Sequence, residues 1–588
     1  MRFIRKRTLA AASVAITGAL LLAACSGGGS TGGSSSGTGS GVTNGFNAAV
    51  DKVINPSTKK GGTLKLLSNA DCDSWDPART YYGWCLNMQR NISRTLVNYS
   101  KVNGTKFTLA PDLATDMGKH NSDYTEWTYT LQSGLKFSDG SPITAQDVKY
   151  AVERSYATDT ITGGPGFYFT GIIKAPSTYK GPYKSGDLPD TAIKADGQTI
   201  TFYLSKPFAD FNYLLALPTS APVPKAKDTG ANYTKAPVAS GPFEISSYTP
   251  QKSVTFTRNK YWQQSTDKIR KPLVNEIDLT VDSNSDDIDN QLASGEADAR
   301  MDTPVNTAFQ SKILTQPKLK AQADDPAGPT TRYYAIASSV KPLDNVHCRR
   351  AVFYALNKAA ALTIAGGAAA GVVAQSATPP GIPGYDPNYD PYPDGKDHTG
   401  DVAAAKKELA ACGQPNGFST KFAYGTPDAT NGKAFANVKS SLGRVGIKVA
   451  AATTSAENYY STFIGSPSNV KKQGLGIMAA GWGADFPTLY GFYQNIVNGN
   501  AIRDPGTSNY ASINDPTVNK ILDDTGTPTT PELGTQLNKA LMATAQFLPT
   551  RYDKTLWFRS TRMTNVTANN ALGFGAYDVV NVGTSDGK

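Results

Sequence analysis

Seven consecutive residues, Gly481-Trp482-Gly483-Ala484-Asp485-Phe486-Pro487, set one carboxylate inside a short apolar stretch. A carboxylate between Ala and Phe is costly to bury unless something positive meets it. The nearest cations along the chain are Lys472 upstream and Arg503 downstream, so a partner must come from a distant residue or from a ligand. The plainer alternative is a turn in which Asp485 is solvated or caps the next helix, since aspartate is usually exposed. Aromatic residues that could wall a cleft crowd near the N-terminus at Trp75, Tyr81, Tyr82 and Trp84. Others, Tyr459, Tyr460 and Tyr490, flank the Asp485 segment. Such rings serve a core as readily as a site.

Catalytic patterns do not hold up. There is no H-E-x-x-H, which removes a zincin peptidase. Two G-x-S-x-G matches at 28–32 and 33–37 lie in a Gly/Ser run, not between a strand and a helix. His398-Thr399-Gly400 and Ser512-Ile513-Asn514 resemble penicillin-binding motifs in reversed order. The acidic run Asp282–Asp289 is no EF-hand, because Asp287 stands at the required Gly position and Ala293 at the Glu position. It suits a helix start, with acids at the positive end of the dipole. His120, His347 and His398 are not paired at ligand spacing, so neither a metal nor another cofactor is expected. A glycosidase carboxylate pair is a three-dimensional property, and nothing in the chain points to one.

The N-terminus assigns a compartment. Arg2, Arg5, Lys6 and Arg7 precede an apolar run from Leu9 to Leu22, too short to span a bilayer comfortably but suited to a secretory signal. Leu22-Ala23-Ala24-Cys25 resembles a bacterial lipoprotein signal. The resemblance implies removal of residues 1–24 and lipidation of Cys25, leaving the protein on the outer face of the cytoplasmic membrane. Ser26–Gly41 contains only Gly, Ser and Thr, a tether with a reach of roughly 20–25 Å. The formal charge is +10, four units of it in the signal, and the remaining Lys and Arg are scattered. That describes a solvated surface rather than a nucleic-acid stripe. The chain of 588 residues is long for one core and predicts two or three lobes. Beyond Cys25, four cysteines remain, Cys72, Cys85, Cys348 and Cys412. An even count in an exported chain suggests two disulfides, with three pairings open.

The elements that must position these residues alternate between strand and helix. Thr63–Leu67 reads as a first strand and Leu86–Tyr99 as a helix leading into a strand. Trp127, Tyr129 and Leu131 alternate with Thr128 and Thr130 as in a half-buried strand. Thr144 and Asp147 form a capping-box-like helix start. The run Pro111-Asp112-Leu113-Ala114, then Phe137-Ser138-Asp139-Gly140, then Pro142-Ile143-Thr144-Ala145-Gln146-Asp147-Val148 resembles the family 5 extracellular solute-binding proteins. Further family-like landmarks follow in order: Ser240-Gly241-Pro242-Phe243, Arg258-Asn259-Lys260-Tyr261-Trp262, Leu292-Ala293-Ser294-Gly295-Glu296-Ala297-Asp298 and Arg350–Asn357. The likeness spans roughly residues 60 to 580.

That resemblance implies an α/β, two-lobed periplasmic-binding-protein-like fold (type II), with an extra subdomain on the first lobe. It places lobe I at 46–100, 237–328 and 546–588, the inserted subdomain at 101–236, and lobe II at 329–545, after the signal 1–24 and the lipidated tether 25–45. Cys72–Cys85 and Cys348–Cys412 are then the favoured pairings, because each falls inside one lobe. The family's W-x-A-D segment maps onto Trp482–Asp485. Its implied roles are Asp485 meeting a ligand α-amine, Gly481 and Gly483 offering unhindered backbone, and Trp482 forming a wall. Pro487-Thr488 departs from the family's later Asp-Pro. The implied function is a monomeric receptor of an ABC importer that delivers oligopeptides to membrane permease subunits. An oligosaccharide or other small solute is the alternative ligand, and a cell-envelope hydrolase the alternative class.

Overall fold

The computed structural model describes residues 46–102, 106–455, 458–568 and 577–587. The expected signal, Cys25 and the Gly/Ser tether lie outside the described residues. Among the described residues no helix is long and apolar enough to cross a membrane.

Three cores organise the chain. The first lies on a five-stranded sheet in the order Ala299–Arg300, β1 (Thr63–Ser68), Glu276–Val281, Ser253–Arg258, Phe243–Thr249. Strand β1 pairs in parallel with both neighbours, which requires long crossovers and explains why its partners lie far along the chain. Leu64 and Leu66 share one face of β1 and bury against Phe256 and Leu279. Helix α1 (Gly83–Ile92) packs on this core, and a Cys72–Cys85 disulfide (Cα–Cα 5.7 Å) ties the loop before it to its first turn. Closing a loop of that length contributes on the order of 3 kcal/mol in the chain-entropy picture.

The second core sits on a four-stranded antiparallel sheet, Lys119–His120, Glu126–Thr130, Thr199–Tyr203 and Ile193–Asp196. Trp127 and Tyr129 point inward from the strand as their alternation predicts. The helix Ala145–Arg154 begins in a capping box between Thr144 and Asp147.

The third core encloses a six-stranded mixed sheet: Gly371–Val373, β4 (Phe547–Lys554), β2 (Ala327–Ile336), β3 (Ile477–Gly483), Ser419–Thr426 and Lys448–Ser455. A disulfide joins Cys348 to Cys412, linking the helix Val346–Ala355 to the end of Val402–Ala411. The proline-rich run 379–397 between those helices contains no regular element.

Only two segments carry the chain between the first and third cores. Ala323–Asp324 pairs with Trp557–Phe558 on one side, and β2 pairs with β4 on the other. The two segments run antiparallel side by side, a geometry in which few backbone angles need change for one body to swing against the other.

Candidate functional site

Asp485 follows β3, where the chain turns into helix α2 (Leu489–Val497). The turn is held by its own backbone: Ala484 N–H donates to Pro329 O at 3.0 Å and Asp485 N–H to Gly491 O at 3.2 Å. Thr488 caps α2, its hydroxyl accepting from Gly491 N–H at 3.0 Å. Gly491 has to be glycine, since a Cβ there would lie 2.3 Å from Phe486 O. Phe486 is buried in the second core, near-parallel to Tyr213 and edge-on to Tyr168. The turn from the third core is thereby docked on the inserted subdomain.

Two phenols reach the carboxylate from across that junction. Tyr81 Oη donates to one oxygen of Asp485 at 2.8 Å and Tyr168 Oη to the other at 2.5 Å. Among the described residues Asp485 has no ion-pair partner. Burial pushes its pKa above the ordinary aspartate value, against the two tyrosine hydrogen bonds, which lower it. Burial and the facing carboxylate raise both phenols as well, so they stay protonated donors. A cavity of about 30 Å³ beside Asp485 reaches Gln89, Arg90 and Ser93 of the first core, room enough for water.

The loop that presents Tyr81 is clamped. The Cys72–Cys85 bond closes it, Asp73 accepts from the backbone N–H of Tyr81 at 2.6 Å and Tyr82 at 3.2 Å, and Arg154 grips Asp76 through both terminal nitrogens at 2.8 and 2.7 Å. Arg154 also pairs with Asp228, so the clamp ties the subdomain helix to this loop.

Strand β3 is paired with β2 from Ile477 to Gly483, but with Ser419–Thr426 only at Ile477 and Met478. From Ala479 to Gly483 one edge therefore has no strand in register beside it, the arrangement that lets an extended chain add on.

The candidates read from sequence separate into two sets. Asp485, Tyr81, Trp482, Gly481, Gly483 and Tyr490 gather at the end of β3 and the junction below it; Tyr490 packs on the second core beside Tyr168 and Phe208. Trp75, Trp84 and Tyr459 do not line a cleft. Trp75 (0% exposed) and Trp84 fill the first core, where their area is worth more buried than wet. Tyr459 (4% exposed) donates to Ala423 O and Ala479 O at 2.8 and 2.7 Å and so ties neighbouring strands together. The space above Gly481 is not open either: a Cβ there would meet Arg332 Cδ and Nη1 at 2.7 Å. Tyr168, Gly491 and Arg332 were not singled out by sequence. The aromatic triplet Phe167-Tyr168-Phe169 was a signal for the first, but nothing local marked the other two.

A molecule of three cores, the first and third joined by paired strands, with the Asp485 carboxylate where the third meets the second, can be set beside known proteins. The family model described as "Bacterial extracellular solute-binding proteins, family 5 Middle" matches residues 108–504, more than half of the chain. The chain belongs to this family. Oligopeptide-binding protein OppA of Bacillus subtilis (strain 168) is 30% identical over 329 residues, 53% of this chain and 56% of the relative. Glutathione-binding protein GsiB of Escherichia coli (strain K12) is 27% identical over 367 residues, 62% of this chain and 64% of the relative. This family 5 chain thus aligns with less than two thirds of the length of those curated relatives. Among solved structures, clavulanic acid biosynthesis oligopeptide binding protein 2 superposes with a TM-score of 0.87 at 37% identity, covering 92% of this chain and 98% of its own. DppA from Helicobacter pylori, in complex with the peptide STSA, superposes at 0.66 with 22% identity, covering 88% and 98%, a likeness of fold. The family 5 fold seen here is therefore the α/β, two-lobed type II periplasmic-binding-protein fold, and the relatives are binding proteins rather than enzymes.

Proposed function

We propose that this protein is the lipid-anchored receptor of an ABC importer. It captures oligopeptides through their free amino terminus and hands them to permease subunits as a monomer at the outer face of the cytoplasmic membrane. One observation carries the reading: Asp485, on one side of the junction, is a half-buried carboxylate satisfied by two neutral phenols from the other side and, among the described residues, by no cation. Hydrogen bonds to a charged group are worth about 1.5–3 kcal/mol each, enough to keep the carboxylate in place without a ligand. A peptide ammonium adds a full opposite charge, and removing one partner of such a pair costs about 2–5 kcal/mol. An N-blocked peptide cannot make that pair and is rejected.

The peptide backbone would lie along the unpaired edge of β3 from Ala480 to Gly483, beyond Ala479 O, which Tyr459 caps, with Trp482 beside it. Recognition of main chain rather than side chains permits loose sequence preference, because water can re-pair leftover polar groups. The moving bodies would be 46–100, 237–326 and 555–588 with the subdomain 101–236, against 327–554, because Phe547–Lys554, expected from sequence in the first lobe, is a strand of the third core's sheet; the two paired crossing segments would be the hinge. The names of OppA and of the clavulanic acid protein, both oligopeptide binders, support the ligand class.

Mass spectrometry of small molecules released from the purified protein tests this. Short peptides with free amines, lost from Asp485→Asn, are expected. Recovery of a single sugar, or turnover of a bound peptide, would remove the reading in favour of the alternatives.

A further inference from the structure

A cavity of about 580 Å³ in the first lobe shares no lining residue with the Asp485 junction. Four lysines line it, Lys60, Lys101, Lys268 and Lys271, and no aspartate or glutamate does. A concavity lined by one sign of charge focuses its field and gathers counter-ions. Of the four, Lys101 is paired: its Nζ lies 3.2 Å from Asp578, a carboxylate that Arg90 already meets. Lys60, Lys268 and Lys271 are exposed, and their ammonium groups have no acceptor among the described residues.

The walls are fastened. Asn565 donates from Nδ2 to Ser57 O at 2.8 Å and accepts from Ser57 N–H at 3.0 Å. Asn581 (9% exposed) accepts from Lys271 N–H at 2.8 Å and donates to Asp578 at 2.8 Å. Two asparagines near the C-terminus thereby hold the segments that carry Lys60 and Lys271. Beside the charges the lining is apolar, with Val53, Ile269, Pro272 and Leu273. A hydrophilic anion would leave that apolar surface wet, whereas carbon chains next to a phosphate would cover it. In sequence, Val53 follows closely on the Gly/Ser run. The reach of that run, roughly 20–25 Å, keeps the N-terminal end of the first lobe near a lipid attached at Cys25.

We propose that this cavity holds the phosphate headgroup of an anionic membrane lipid. The lysines surround the phosphate as compact point charges, and Ile269 and Leu273 cover the first carbons of the acyl chains. The inference goes beyond peptide capture and takes from that reading only its place at the membrane. A headgroup seated here restricts the turning of a receptor that the tether alone leaves free.

Isothermal titration calorimetry on the purified full chain tests it with dihexanoylphosphatidylglycerol below its micelle concentration, and with dihexanoylphosphatidylcholine, glycerol phosphate and inorganic phosphate. The wild type is expected to bind the phosphatidylglycerol at least about 10-fold more tightly than each of the other three. Each lysine near an anionic lipid contributes a factor of about five, so Lys268→Gln/Lys271→Gln is expected to loosen it about 30-fold. Lys268→Arg/Lys271→Arg is expected to keep most of the affinity. Both side chains are exposed, so neither change reaches a core. Equal binding of the two lipids by the wild type overturns the site, as does phosphatidylglycerol binding that the double Gln variant leaves untouched. Glycerol phosphate or inorganic phosphate binding as tightly as the lipid overturns the lipid in favour of a small phosphate anion. Tetra-alanine titrated into the same proteins separates this site from the receptor reading. Peptide binding without phosphatidylglycerol binding overturns the lipid site alone; phosphatidylglycerol binding without peptide binding overturns the peptide reading alone.

Discussion

Asp485 and Asp578 are both carboxylates held at the meeting of distant chain segments, and they are treated in opposite ways. Asp578 is fully buried and meets two cations, Arg90 at 2.5 Å and Lys101 at 3.2 Å. Their charge drives its pKa well below the ordinary range despite burial. Asp485 meets two phenols, and burial drives its pKa up. Elsewhere the pattern of Asp578 recurs: Asp76 with Arg154, and Asp112 and Asp267 with Arg94 and Arg270. These structural carboxylates are compensated by charge, whereas Asp485, like Asp71 with Tyr248 Oη and the N–H groups of Cys72 and Gln251, is held by dipoles among the described residues. At the junction this leaves Asp485 able to gain a stronger interaction from something outside the fold.

Breaking the compensated side should have the largest effect. Asp578→Asn leaves Arg90 and Lys101 without their anion, so a stability loss of about 3–5 kcal/mol is expected in urea unfolding. Peptide affinity of the remaining folded protein should change little. Asp485→Asn should do the reverse. Peptide affinity falls by about 2–5 kcal/mol in calorimetry, while unfolding stability at neutral pH is unchanged or higher, because a carboxylate that the fold disfavours has been removed. A matching loss of stability would end the contrast drawn here.

The two aspartates should also answer pH with opposite signs. Asp578 has a depressed folded pKa, so its stabilisation is present above the unfolded aspartate pKa and is lost as pH falls below it. Asp485 has a raised folded pKa, so its ionisation weakens the fold as pH rises from the ordinary aspartate value through its own. Wild type minus Asp485→Asn stability, measured by denaturation from pH 4 to 7, should therefore decline with rising pH. Peptide binding at the acid end should release a proton, visible as a buffer-dependent binding enthalpy absent from Asp485→Asn.

Smaller changes sharpen the comparison. Gly491→Ala forces the Asp485 turn to shift away from Phe486 O and should weaken peptide binding by about 1–3 kcal/mol, the usual scale of overpacking. Tyr81→Phe removes one of two donors. It should raise the pKa of Asp485 further and change affinity by no more than about 1–2 kcal/mol, because a ligand ammonium takes over that oxygen.

Much of the fold was legible in sequence because its signals are local. The alternation at Trp127–Leu131, the Thr144–Asp147 cap and Gly295 as a helix stop each act within a few residues, and each appears in place, with Gly295 left-handed at φ 81°. The Asp485 segment was legible for a related reason: its oddity, a carboxylate among apolar residues, is written in seven adjacent positions. The place of Trp75, Trp84 and Tyr459 stayed open in sequence, because an aromatic ring looks the same there whether it faces a cleft or a core; all three are buried.

What the chain determined by itself is therefore its α/β elements, its family and a carboxylate set in an apolar stretch with no cation close along the chain. Tertiary structure alone decided what stands around that carboxylate. Tyr81 and Tyr168 come from hundreds of residues away. Charge compensation is a matter of a few ångströms in space, and separation along the sequence carries no information about it.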